Sequence, residues 1–284
     1  METVVKAYAK INLTLDLTGI LPNKYHGIFT VMQSVGLYDN VTIKTGKPGL
    51  KLTCSEKYIP CDDRNTAYKA ASLFYEKAGI SPECEIYIKK VIPSGAGLAG
   101  GSADAAAVLK GLNSLYPGTV SYKDIMSIAL NVGADVPFCY VGGTKLCQNI
   151  GEVISYLPPM LSHVLLVKPY ERVSTKDAYA RFDSAENIIH PDNDSFLFYA
   201  AKGEYKEAVK YASNMFETLS DVKSGEEIKC TMLENGAWFA SMSGSGSAYY
   251  GLFDSQEDAV KCADMLKGKA ENVFVCRTKT KGVE

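Results

Sequence analysis

Pro93-Ser94-Gly95-Ala96-Gly97-Leu98-Ala99-Gly100-Gly101-Ser102-Ala103-Asp104 constrains this chain more than any other stretch. Ahead of it, from Cys84 to Ile92, Ile86, Ile88 and Ile92 alternate with polar or charged neighbours, the pattern of a half-buried strand. Behind it, Ala105, Val108, Leu109, Leu112 and Leu115 recur at steps of three and four, as on one helix face. Ser102 stands where an N-cap belongs and Asp104 where a first-turn acid belongs. A strand, a glycine loop and a helix N-terminus are therefore expected in succession. Glycines let the backbone approach a ligand, and the free N–H groups of the helix favour an anion. The loop reads as a phosphate site, and a β-branched side chain at Gly97 is expected to block the approach of phosphate.

Other readings of the loop fare worse. Gly95, Gly97 and Gly100 spell the dinucleotide fingerprint, which requires an acid about twenty residues on at the end of a second strand. That distance falls in TVSYKDIM, which reads as a helix start, so an NAD-dependent oxidoreductase is the weaker alternative. Gly95 and Gly100 have Walker A spacing, but Gly101 stands where that loop needs lysine. A turn that only packs a helix onto a sheet would not need so many glycines and serines at one helix start.

Composition excludes several classes. A net charge of −2 offers no bulk field for nucleic acid or a membrane surface, so a small-molecule substrate is expected. METVVKAYAKINL has no long apolar segment with a cleavage site, and no apolar run approaches membrane-spanning length. Eight cysteines form no C-x-x-C pair and three histidines are scattered, so no zinc site is expected. Several thiols lie in apolar runs such as FCYV and VFVC, which suits a reducing, cytoplasmic setting. The 284 residues suffice for two domains.

Along the chain, Thr3 to Leu17 alternates as one long strand burying Val5, Ala7, Ala9, Ile11, Leu13, Leu15 and Leu17. Periodicity alone leaves Lys10, Asn12 and Asp16 on a solvated face. Asn23 to Gly27 reads as a loop, followed by apolar-rich sheet and a helix over Asn65–Ala78 that stops at Gly79. Ser121 opens another helix, Gly133 to Pro137 is a turn, and PFCYV reads as a strand, with sheet continuing to Pro158-Pro159. That proline pair is the expected boundary between domains 1–158 and 159–284. Beyond it come a buried strand at HVLLVKP, a helix capped near Ser174, helices over Asp194–Met232, and a β-turn-β-α-β ending. The element order predicts α+β in both halves, not a Rossmann alternation.

Ala-Lys10-Ile-Asn12-Leu, Tyr25-His26, the Pro93–Ser102 loop, Gly133-Ala-Asp135-Val-Pro137 and Met242-Ser-Gly-Ser-Gly246 occur in that order. Together they resemble the GHMP kinases, over nearly the whole chain from Lys6 to about Phe253. Within that superfamily they are most similar to the branch that phosphorylates 4-diphosphocytidyl-2-C-methyl-D-erythritol; another member, of homoserine or mevalonate type, is the nearer alternative. The resemblance implies an N-terminal domain like the second domain of ribosomal protein S5 and a C-terminal, ferredoxin-like α+β GHMP domain. It implies ATP in the glycine loop, Mg²⁺ on the phosphates and a monomer or homodimer.

It makes Asp135 the catalytic base with Lys10 beside it, a pairing that keeps a carboxylate ionised within reach of an alcohol. It assigns Asn65, Lys90 and the whole Pro93–Asp104 stretch to the nucleotide: Pro93, Ser94, Gly95, Ala96, Gly97, Leu98, Ala99, Gly100, Gly101, Ser102, Ala103 and Asp104. To the acceptor it assigns Asn12, Tyr25, His26, Thr175, Tyr179, Ser243, Gly244, Ser245 and Gly246. Departures from the pattern are Ala99 and Ala103 in the loop, Asn23-Lys24 in place of Asp-Gly, and Gly27 in place of an acid. Ala103 cannot ligate Mg²⁺, which leaves Ser102 to carry more of that role.

Overall fold

The long N-terminal alternation becomes β1 (Glu2–Ile20), which turns back as β2 (His26–Thr45), in a computed structural model that describes residues 1–22 and 24–284. Asn23, assigned above to the intervening loop, lies outside the described residues. The antiparallel register sets Lys10 opposite Ser34 and Asn12 opposite Met32, with irregularities between Tyr8 and Lys10 and between Asn12 and Thr14. Bulges of this kind re-aim side chains next to a site.

β3 (Gly49–Cys54), α1 (Thr66–Ala78), β4 (Glu83–Lys89), α2 (Gly100–Leu115), α3 (Tyr122–Val132), α4 (Val136–Val141), β5 (Thr144–Asn149) and β6 (Val153–Tyr156) follow. The sheet runs β3-β4-β2-β5-β6, with β1 also paired to β2. Asn65 caps α1 by accepting the Ala67 N–H, and Gly79 ends it in the left-handed conformation. α1 and α2 pack on the sheet through Ala70, Phe74, Ala106 and Leu109, all fully buried.

The second unit is β7 (His163–Lys168), α5 (Thr175–Ser184), α6 (Asn193–Ala200), α7 (Tyr205–Ala208), α8 (Met215–Thr218), α9 (Gly225–Glu234), β8 (Ala237–Met242), β9 (Tyr249–Phe253), α10 (Gln256–Leu266) and β10 (Asn272–Arg277). Its sheet order is β10-β7-β9-β8, a β-α-β-β-α-β arrangement of ferredoxin-like type. The architecture is α+β with two sheets. The change of sheet falls between Tyr156 and His163, around the proline pair. Residues 278–284 then return to the first sheet, where the Tyr8 N–H donates to the Gly282 carbonyl at 3.1 Å.

The structure corrects three expectations. PFCYV is helical, as α4 within Val136–Val141: Pro137 sits in the first turn, where its fixed φ suits a helix, and a short apolar run has no period to distinguish the two. Ser102 is not the N-cap of α2. Ala99 takes that position in the left-handed region (φ +57°), the helix opens at Gly100, and Ser102 lies inside its first turn, while Asp104, expected as a first-turn acid, falls beyond that turn. The third correction is the polar face of β1, which is not solvated: Lys10, Asn12 and Asp16 are 3%, 2% and 3% exposed. Its cover comes from far along the chain. The Leu15 N–H donates to the Ser213 carbonyl, while Asp16 pairs with His190 and accepts from Asn193, each at 2.7 Å. Periodicity within one strand carries no sign of that cover.

Candidate active site

The glycine loop is held by its carbonyls. Ala96 O accepts from the Ala248 N–H and Leu98 O from the Lys10 N–H. Gly97 O accepts from both Lys10 Nζ (2.8 Å) and Ser243 Oγ (2.9 Å). The N–H groups of Gly100, Gly101 and Ser102, at the start of α2, have no intrahelical acceptor and suit an anion.

The glycines of the loop have different tasks. At Gly95 (φ +63°) an added Cβ would meet nothing within 4 Å, so its open side is free for a ligand. At Gly97 (φ +74°) it would strike the Ser243 carbonyl oxygen at 1.9 Å. Gly97 borders the cavity, and the side that a Cβ would take is filled by the Ser243–Gly246 turn, a packing reason for a bare backbone that the sequence did not reveal.

Lys10, rising from β1, donates to Asn12 Oδ1 at 2.7 Å and lies 4.0 Å from Asp135 Oδ2. Asn12 Nδ2 donates to Thr30 Oγ1, and that hydroxyl donates to the Thr14 carbonyl, so the orientation of the Asn12 amide is set. Asp135 occupies the cap position of α4 without capping it, and its side chain is one-third exposed. The carboxylate is thus open to the cleft, with an ammonium behind it.

These groups face one cavity of about 480 Å³, lined by Lys10, Asn12, Asp135, Pro93–Gly97, Ala99–Ser102, Thr175, Tyr179 and Gly244–Gly246. Thr175 and Ser245 hydroxyls meet at 2.9 Å. Burial, and then the charge of Asp135, raise the Tyr179 phenol above its ordinary pKa. A second cavity of about 590 Å³ adjoins at Pro93 and Ser94 and includes Tyr58, Lys168 and Arg172.

Other expected site residues lie elsewhere. Leu98 and Ala103 are in the core, and Ser243 is fully buried on the Gly97 carbonyl. Asn65 is engaged as a helix cap and donates to the Pro60 carbonyl. Lys90 and Asp104 are buried against one another at 2.7 Å, with Asp39 as third partner. Burial pushes the Asp104 carboxyl up against the pull of Lys90, and Asp39 adds to the push.

Tyr25 and His26 do not line the cavity. Tyr25 is exposed at the turn before β2, while the His26 ring lies 4.9 Å from Tyr179 and its Nε2 is 2.7 Å from Asp183. His26 reaches the cleft through Tyr179, which packs edge-on against Phe216 at 4.9 Å. Sequence reasoning missed Leu15, Ile28, Met32 and Phe216, the apolar wall, because apolar residues in apolar runs are read as core. It also missed Thr30 and Asp39, whose only sign is a polar residue set in an apolar-rich strand.

Among the described residues no three His, Cys, Asp or Glu gather to hold a metal. The oxygens that line the cavity beside the glycine loop include the Asp135 carboxylate and the hydroxyls of Ser102 and Thr66, all hard donors. That set fits a Mg²⁺ carried mainly by phosphate oxygens. No helix is long and apolar enough to cross a membrane among the described residues.

Comparison with known proteins agrees with this geometry. Residues 65–143 match the GHMP kinases N terminal domain and residues 226–272 the GHMP kinases C terminal family. The chain is 41% identical over 278 residues to the 4-diphosphocytidyl-2-C-methyl-D-erythritol kinase of Clostridium kluyveri, covering 97% of this chain and 99% of that one. With the enzyme of the same name from Clostridium tetani the identity is 40%, over 96% of this chain and 99% of that one. A crystal structure of 4-(cytidine 5'-diphospho)-2C-methyl-D-erythritol kinase superposes with a TM-score of 0.82 at 30% identity, over 98% of this chain and 99% of that one. Homoserine kinase from Cytophaga hutchinsonii shares the fold, with a TM-score of 0.78 at 21% identity, over 100% of this chain and 96% of that one. At such identity over nearly its whole length, and with both GHMP domains in place, the chain belongs to the 4-diphosphocytidyl-2-C-methyl-D-erythritol kinase family of the GHMP kinases.

Proposed function

We propose that this chain transfers the γ-phosphoryl group of ATP to a hydroxyl of 4-diphosphocytidyl-2-C-methyl-D-erythritol. The observation that carries the proposal is the Lys10–Asp135 pair facing the glycine loop across one cavity. The phosphates lie along Gly95 and the N-terminus of α2, where N–H groups and the helix dipole offset their charge. Asp135 takes the proton of the attacking hydroxyl. Lys10 stays close to that carboxylate, tied to Asn12 and the Gly97 carbonyl, and offsets negative charge as the proton leaves. Asn12, with its amide fixed by Thr30, orients the acceptor.

Mg²⁺ would be held mainly by the phosphates, with Asp135 and Ser102 as oxygen donors from the protein, and would supply charge neutralisation. Phosphoryl transfer has a loose transition state, so positioning and charge supply most of the rate. Thr175, Tyr179 and the Gly244–Gly246 turn hold the acceptor toward its cytidyl end, with His26 behind Tyr179 and Tyr25 at the rim. The same reading makes this a cytoplasmic enzyme of small molecules, acting as a monomer or homodimer.

An ATP-consumption screen over the cytidyl-methylerythritol acceptor, mevalonate, homoserine and galactose tests the proposal. Turnover with the cytidyl acceptor and background rates with the others are expected. Faster turnover of any other alcohol would refute the acceptor assignment.

A further inference from the structure

We infer that Asp39, on β2, is a positioning residue for the nucleotide: it sets the geometry of the phosphate loop from beneath. The inference rests on the nucleotide half of the proposed function and not on the identity of the acceptor.

β2 and β4 pair regularly as far as Asn40 opposite Lys89, and the ladder then stops. The next residues, Lys90 to Ile92, must leave the sheet and rise into the loop. Asp39 stands at that point, fully buried. Its Oδ1 accepts the Val91 N–H at 2.5 Å and the Ile92 N–H at 2.9 Å, so one carboxylate oxygen takes over where the strand partner ends. Its Oδ2 accepts from Lys90 Nζ at 2.5 Å.

Lys90 extends the reach of Asp39 to the other arm of the loop. Its Nζ donates to Asp104 Oδ2 at 2.7 Å, inside the first turns of α2. The ammonium lies under Gly100, where an added Cβ would come within 3.2 Å of it. Both ends of the loop, the exit from β4 and the entry to α2, are thus tied to one side chain through buried charge-assisted bonds. Such bonds hold geometry strongly in a low-dielectric interior. Asp104 acts here on the loop and not on the ligand, which accounts for its burial beneath a site it was expected to line, while Lys90 ties the loop from below and also borders the adjoining cavity.

Asp39→Asn tests this, because an amide oxygen can face either the two N–H groups or the lysine but not both. Nucleotide affinity is read by titrating ADP without acceptor, and KM for ATP and for the acceptor are read in turnover. The expected result is a loss of ADP affinity of about tenfold, one buried charged hydrogen bond's worth, with acceptor KM changed less than twofold. Asp104→Asn, which keeps the buried volume, weakens the tie to α2 and leaves Lys90 paired with Asp39, is expected to give the same pattern and decides the matter if Asp39→Asn fails to fold. Exposed Lys89→Met serves as the control that leaves all three values unchanged. Unaltered ADP affinity in a folded variant, or equal loss for nucleotide and acceptor, would overturn the inference. A chain that binds ADP but ignores the cytidyl acceptor would instead overturn the proposed function and leave this inference standing.

Discussion

Substituting alanine at Gly95 or at Gly97 should separate two reasons for a bare backbone. Both residues have positive φ, so alanine costs about 1–2 kcal/mol at either from the left-handed conformation alone. At Gly95 nothing further is lost, since the new methyl enters open space. At Gly97 the methyl would lie 1.9 Å from the Ser243 oxygen, 2.9 Å from its carbon and 3.2 Å from the Gly246 nitrogen. All three are backbone atoms, so no rotamer change relieves the overlap. Overpacking of this kind adds about 1–3 kcal/mol. At about 2–4 °C per kcal/mol for a chain of this order of size, Gly97→Ala should melt about 2–12 °C below Gly95→Ala. The assay is thermal unfolding without nucleotide, followed by ADP titration of each variant. Gly95→Ala should lose nucleotide affinity with little further loss of stability. If the two variants melt together, the turn-against-turn packing does not determine the residue at position 97, and the reasoning fails.

Asp135→Asn keeps shape and removes the proton acceptor; turnover should fall about 10²–10⁴-fold with ADP affinity unchanged, and near-full turnover would make Asp135 only a turn residue. Tyr25→Ala should raise the acceptor KM several-fold, from about 1–3 kcal/mol of base stacking, with ATP KM unchanged; no effect would remove Tyr25 from the cytidyl pocket. Native protein should react with a thiol reagent at the two exposed thiols, Cys61 first and Cys230 more slowly because desolvation and the Glu226 carboxylate raise its pKa, and not at Cys139 or Cys147. Burial raises Cys139 well above its ordinary pKa and pushes Cys147 up to about 12, so fast modification of either would contradict the packing around α4 and β5.

Local rules carried much of the architecture. Side-chain caps at Ser121 and Ser174, the left-handed Gly79, and the buried apolar side of β1 each depend on neighbours a few residues away, and each appears as read. PFCYV failed because five residues span too little length for a period to emerge. At the site, the glycine loop, Lys10, Asn12 and Asp135 were legible because their chemistry is written in residue type and spacing. The burial of Lys90 and Asp104 was not, since it depends on Asp39, more than fifty residues earlier. The packing of the Ser243 turn on Gly97 was hidden for the same reason: Ser243 is 146 positions away.

The cover over the polar face of β1 has a consequence for the order in which the protein comes into being. Lys10 is among the first residues to leave the ribosome, but Ser243 and Ala248, which help to lock the loop over it, follow well over two hundred residues later. At about 5–20 residues per second, roughly 10–50 s separate those events. During that interval the first sheet can collapse on its apolar side, while Lys10, Asn12 and Asp16 remain in contact with water. A nascent chain arrested before Met242 should therefore possess β1, β2 and their helices without a competent phosphate loop.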